Sequence, residues 1–199
     1  MAGVQPLNRA DLPDLEDGFA LVEAVMGFVP NSMLTMARVP GLSEAFGALG
    51  GAIFSSPLIG RDLQQMVAFV SSNAAGCRYC QTHTAHTAHR GGVSDEKLAA
   101  LWEFETSDEF DEAERAALRL AFHAGQVPNA TTEADFEACR EHYSDEQITA
   151  IVAVISMFGY LNRWNDTMGT TLETMPTEFG NRVLTDGGWS AGKHAETTR

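Results

Sequence analysis

Apolar residues recur at every third or fourth position along almost the whole chain, in segments cut by proline, glycine and asparagine. That spacing puts each set on one face of a helix, and nowhere does it give way to the strict alternation of a strand. Leu15, Phe19, Val22, Val25 and Met26 form the first such face, closed by Val29-Pro30-Asn31. Ser32 caps a short helix to Met36, and Leu42 to Phe54 follows as a glycine-rich third. Asp62 to Ser72 is apolar at Leu63, Met66, Val67 and Val70, and leads through Ala74-Ala75-Gly76 into Cys77 to Arg90. A helix with Leu98, Leu101 and Trp102 comes next, then Asp111 to Ala124 and Thr132 to His142, the latter with Thr132 and Asp135 as a cap pair. Ser144 opens the most apolar helix, which ends in Asn162-Arg163-Trp164-Asn165-Asp166. Beyond Pro176 periodicity fades into a glycine- and threonine-rich tail, expected to be loosely held or to wrap a neighbouring subunit. The fold class is all-α. The 199 residues, 44% of them apolar, suffice for a single core. They divide into a helical extension over about 1–55, a cysteine-bearing core over about 56–173 and a tail over 174–199.

Charge removes several functions. Acids outnumber bases 27 to 13, for a net charge of −14, so the dense cation cluster that releases counterions from nucleic acid is missing, as is a basic surface for anionic lipid. The most apolar stretch, Ala150 to Leu161, falls short of the roughly 20 residues of a membrane span. The first residues lack the basic-then-apolar order of a secretory leader, and an odd number of cysteines does not suit a disulfide framework. These features set the expectation of a cytoplasmic protein. From Asp95 to Arg115 acids crowd the sequence, whereas Arg61, Arg78 and Arg90 outnumber Asp62 between Arg61 and Gly92. A local positive field of that kind favours thiolates.

That basic stretch holds the chemistry. Between Cys77 and His89 lie two of the three cysteines and three of the six histidines. A structural zinc site fits poorly: Cys77 and His83 are roughly 9 Å apart along a helix axis, and histidines at every third position spiral away from the cysteine face. Redox chemistry fits better. Cysteines at i and i+3 on a first helical turn come close enough for a disulfide, and the helix start lowers a thiol's hold on its proton. His83, one turn beyond Cys80, is placed to accept that proton; His86 lies roughly 120° round the helix. Lone Cys139 reads as a buried, inert thiol. His123, His142 and His194 read as surface residues, and Trp102, Trp164 and Phe158 as core.

Gly76-Cys77-x-Tyr79-Cys80 followed by histidine, with an apolar helix opening on Arg61-x-Leu63 upstream, resembles the carboxymuconolactone decarboxylase superfamily, and within it the AhpD-like alkylhydroperoxidases. Phe158 to Asp166 and Val29-Pro30-Asn31-Ser32-Met33 are similar to that group's peroxidase-related branch. The resemblance runs from about Leu12 to about Glu173. It implies an AhpD-like helical bundle assembled into homo-oligomers, and reduction of a hydroperoxide, or of a partner peroxiredoxin, in antioxidant defence. Cys80 would attack and Cys77 resolve. No metal or other cofactor is expected; an external dithiol such as a lipoylated protein would reset the pair. Two positions depart from the family's relay, with Gln65 where it has glutamate and Thr84 where it has histidine. A variant relay through His83 or His86 with Asp166 is one outcome, and exchange chemistry without fast peroxidase turnover is another. The alternatives are a carboxymuconolactone-decarboxylase-type enzyme acting on a small carboxylated substrate, with the cysteines idle, and a non-catalytic thiol or metal sensor.

Overall fold

The computed structural model describes residues 2–196. Nine helices form in the order the periodicity predicts, α1 (Glu16–Met26), α2 (Asn31–Met36), α3 (Leu42–Phe54), α4 (Arg61–Ala74), α5 (Arg78–Arg90), α6 (Asp95–Ala99), α7 (Glu112–Gly125), α8 (Glu133–Arg140) and α9 (Asp145–Met168), and a tenth, α10 (Thr174–Val183), follows among the described residues. Short 3-10 turns fill gaps such as Pro13–Leu15 and Ala100–Glu103, and there is no strand among the described residues. No helix among them is long and apolar enough to cross a membrane.

Local sequence fixes where the helices start. Asp111 with Glu114, Thr132 with Asp135 and Ser144 with Gln147 each close a reciprocal capping box at α7, α8 and α9. Before α6, Ser94 accepts from the Lys97 amide with no acid to return the bond. Gly76, at φ +76°, makes the left-handed turn that folds α5 back along α4.

The core lies where α4, α5, α7 and α9 meet. Met66, Val67, Phe69 and Val70 of α4 are buried against Ala85 and Ala88 of α5, Leu118, Leu120 and Ala121 of α7, and Ile151, Val154 and Phe158 of α9. Each of the larger side chains contributes about 1.5–3 kcal/mol by leaving water. Gly125 lets the end of α7 approach α4 closely, since a β-carbon there would sit 2.5 Å from the Ser71 carbonyl oxygen. Against this core α5 is anomalous. It buries Gln81, Thr82, His83, Thr84 and His86, although polar side chains cost free energy to bury unless they are partnered.

The tail departs from expectation. Thr174–Val183 is helical, and the segment after it packs on its own chain. Phe179, Leu184 and Trp189 are buried, Thr82 donates to the Pro176 carbonyl at 2.6 Å, and Trp189 Nε1–H donates to the Arg78 carbonyl at 3.0 Å. Threonine, proline and glycine carry little intrinsic helix preference, and here tertiary burial overrides it. His194, expected at the surface, is 1% exposed, with Nδ1 2.8 Å from the Thr170 carbonyl oxygen.

Candidate active site around the Cys77–Cys80 dithiol

Cys77 is the N-cap of α5. Its backbone is extended (φ −82°, ψ 97°), and its Sγ accepts the Cys80 amide N–H at 3.4 Å, as a serine or aspartate oxygen would at this position. Its own amide donates to the Ser72 carbonyl at 3.0 Å, tying the helix start to the end of α4. Cys80 lies one turn inside α5 and faces α9, where Asn165 Nδ2–H donates to its Sγ at 3.5 Å. Both thiols are free and buried. Burial pushes the Cys80 thiol well above its ordinary value, and neighbouring Cys77 pushes it further; the Asn165 hydrogen bond works in the opposite direction.

His83, on the next turn, pairs with a residue from the far end of the chain. Its Nε2 lies 2.6 Å from Glu173 Oε2. Tyr79 Oη–H donates to Glu173 Oε1 at 2.8 Å, and the Asn31 amide donates to the same oxygen at 2.5 Å. Burial alone would raise the Glu173 carboxyl, but His83 and the other donors outweigh it and hold the carboxyl below the ordinary glutamate range. The Tyr79 ring lies against the His83 ring with centroids 4.0 Å apart, and Phe28 meets His83 edge-on at 5.1 Å.

The remaining candidates fall into different surroundings. His86 sits between Phe28 and Phe179 with its Nδ1 unpartnered. Burial first, then His83, Arg90 and His89, lower its pKa to about 4, so it is neutral at pH 7. The Thr84 hydroxyl is spent on backbone: it donates towards the Cys80 and Gln81 carbonyls, both at 2.9 Å, the usual fate of a threonine inside a helix. Gln65 is partly buried on α4. Asp166 turns to the tail, pairing with Lys193 at 2.8 Å and approaching His194 Nε2 at 3.9 Å. Cys139 is buried against the Ala116 carbonyl. The histidines and cysteines of α5 do not converge: among the described residues no three His, Cys, Asp or Glu side chains are grouped to hold a metal ion.

Sequence reasoning thus missed Glu173 and gave Asn165 no separate role. Asn165 stands in the polar cluster that ends α9, and a buried amide on an otherwise apolar face was its signal. Glu173 had none, because only the fold brings it to His83.

Residues 40–122 match the carboxymuconolactone decarboxylase family. The debrominase Bmp8, solved both alone and as a cysteine-to-alanine variant with 2,3,4-tribromopyrrole, is 40% identical; in that complex the match covers 90% of this chain and 96% of Bmp8, with a TM-score of 0.86. An uncharacterised peroxidase-related protein with an AhpD core from Ralstonia eutropha JMP134 is 27% identical over 89% of this chain and 94% of its own, with a TM-score of 0.77. The uncharacterised protein YdfG of Bacillus subtilis (strain 168) is 26% identical over 112 residues, 56% of this chain and 76% of that protein. With its all-helical AhpD-like fold, the chain belongs to the carboxymuconolactone decarboxylase family.

Proposed function

We propose that this protein is a dithiol-dependent reductase that transfers two electrons from Cys77 and Cys80 to a small electrophile. The observation that carries the reading is the pairing of two free cysteines, one on each side of the first turn of α5, with a histidine–carboxylate pair one turn further on. With a hydroperoxide, a thiolate of the pair attacks the terminal peroxide oxygen, the O–O bond breaks, and the alkoxide takes up a proton. The resulting sulfenic acid condenses with the second thiol, releasing water and leaving a disulfide, which an external dithiol such as a lipoylated protein reduces. His83, held by Glu173, is the residue suited to hold and return the proton. It stands in for the relay that Gln65 and Thr84 cannot form.

The likeness to Bmp8 favours a second substrate for the same dithiol. A carbon–bromine bond on an electron-rich ring is reduced by two thiols to carbon–hydrogen, giving a disulfide, bromide and a proton. The proton delivered to carbon would again come from the His83 side.

Purified protein supplied with dihydrolipoamide should consume cumene hydroperoxide or release bromide from a brominated pyrrole. Either activity should vanish in Cys77→Ser and Cys80→Ser. Neither activity in the wild type would sink the reading. Turnover of a small carboxylated substrate that survives both replacements would move the assignment to the acid–base chemistry of the family's name.

A further inference from the structure

The buried face of α9 changes character where it reaches the dithiol. Ile151, Val154, Ile155 and Phe158 belong to the core, but Asn162 and Asn165, 5% and 1% exposed, take over one and two turns further on. Asn165 Nδ2–H donates to Cys80 Sγ at 3.5 Å, while its Oδ1 is buried with no hydrogen-bond partner among the described residues. Asn162, three residues earlier and so close to the same side of the helix, has neither Oδ1 nor Nδ2 partnered there. Three buried polar atoms without partners carry a cost that apolar side chains at these positions would not. Other polar groups on this part of α5 are engaged: Thr84 bonds the Cys80 and Gln81 carbonyls, and Tyr79 and His83 both hold Glu173. The Asn165 oxygen is an acceptor held free on the amide that touches the sulfur.

From this geometry we infer that Asn165 recognises substrates that carry an N–H next to the atom to be reduced, an inference that rests on the dithiol-reductase reading. The oxygen and nitrogen of one carboxamide lie side by side on the same carbon. A donor bonded to Oδ1 therefore brings the group beside it towards the sulfur that Nδ2–H holds. A pyrrole N–H with a halogen on the adjoining ring carbon has that arrangement. The N-alkylated ring keeps the halogen but lacks the donor, and leaves Oδ1 buried and unpaired in the complex. A site built to bond a substrate donor rejects such an analogue more strongly than a fit of shape alone can. Asn162 prolongs the same polar strip by one turn.

The test is binding without turnover. Reduced protein is titrated with 2-(trifluoromethyl)pyrrole and with its N-methyl derivative, whose carbon–fluorine bonds thiols leave intact, and affinity is read from fluorine NMR line widths. The N–H compound should bind at least about tenfold more tightly. In Asn165→Leu the two affinities should converge, and in Asn165→Asp, which keeps an acceptor oxygen, the preference should persist. A merely structural role for Asn165 would lower both affinities together and leave their ratio unchanged. Equal affinities in the wild type, no binding of the N–H compound, a preference that survives Asn165→Leu or one that is lost in Asn165→Asp would each overturn the inference. If circular dichroism shows the leucine variant to be misfolded, the wild-type ratio and the aspartate variant decide. The two proposals fail separately. Turnover with equal affinities sinks only the recognition by Asn165, whereas an N–H preference without turnover sinks only the reductase.

Discussion

Replacing Glu173 by glutamine isolates the contact that links the tail to α5. The carboxylate accepts from three directions: His83 at 2.6 Å, Tyr79 at 2.8 Å and the Asn31 amide at 2.5 Å, with its side chain only 13% exposed. Glutamine keeps one carbonyl oxygen, which can still serve Tyr79 and Asn31 where Oε1 does now. Its amide nitrogen then stands where Oε2 meets His83, and the charge is gone. A hydrogen bond to a charged group contributes about 1.5–3 kcal/mol. For a chain of this size each kcal/mol moves Tm by about 2–4 °C, so a fall of about 3–12 °C at pH 7 is expected by circular dichroism.

The pH dependence makes that test sharper. Glu173 is held below its ordinary value of 4.5 in the folded state, against the effect of its own burial, by His83 and the other donors. As pH falls, the unfolded chain therefore takes up the proton first. The stability the carboxylate supplies is complete above the ordinary value and drains away as pH drops through the lower, folded one. The difference in Tm between wild type and Glu173→Gln should thus be largest near neutrality and shrink below about pH 4.5. A difference that stays constant from pH 7 to pH 3.5, or one of less than about 2 °C at pH 7, would refute the role given to the charge.

Four further outcomes are expected. Trp189→Ala removes a buried ring and its bond to the Arg78 carbonyl; it should cost about 3–5 kcal/mol and speed proteolytic cleavage after Leu184, and unchanged cleavage would mean the tail is not held by this residue. Gly180→Ala puts a β-carbon 2.6 Å from Trp189 Cζ3 and 2.8 Å from Thr82 Oγ1, so it should destabilise by about 1–3 kcal/mol. Gly47→Ala, with nothing within 4 Å on the outer side of α3, should instead stabilise by about 0.5–1 kcal/mol, and urea midpoints that fail to separate the two in sign would contradict the packing. His86, with its pKa lowered to about 4, primarily by burial, should show a flat ring-proton NMR shift from pH 8 to pH 5.5. Because its folded value is depressed, it favours folding most above the ordinary histidine value and loses that contribution as pH falls towards 4; a titration midpoint near 6.5 would show it to be solvated.

What was legible in the sequence follows from the range over which each signal acts. The faces of α4, α7 and α9 are written in consecutive residues, as are the capping pairs of α7 and α9, so their positions can be read from local spacing. The first turn of α5 is equally local: a cysteine at the cap and another three residues on define the dithiol without any knowledge of packing. The tail obeys a different rule. Thr174–Val183 is a weak helix former held by Pro176 and Phe179, which meet Thr82 and His86 more than ninety positions away, and by the fit of Trp189 over Gly180. No spacing within the tail encodes that dependence.

The same distinction explains why the departures at Gln65 and Thr84 do not decide the chemistry. A proton relay needs a carboxylate and an imidazole in hydrogen-bond contact, not at set positions in sequence. Thr84, turned back on the Cys80 and Gln81 carbonyls, fills space in a buried helix and offers no proton path. His83, one position before Thr84, does make such a contact, with a carboxylate at the start of α10. Glu173 also receives Tyr79, while the Arg78 carbonyl receives Trp189. Both residues between the cysteines are therefore gripped by the segment that the sequence left without a role. A chain truncated before Glu173 would keep both cysteines and all of α5, yet lose the partner of His83 and the contacts that fix Arg78 and Tyr79. On this reading the redox site is a property of α5 and the tail together, and the CxxC motif supplies only its sulfur.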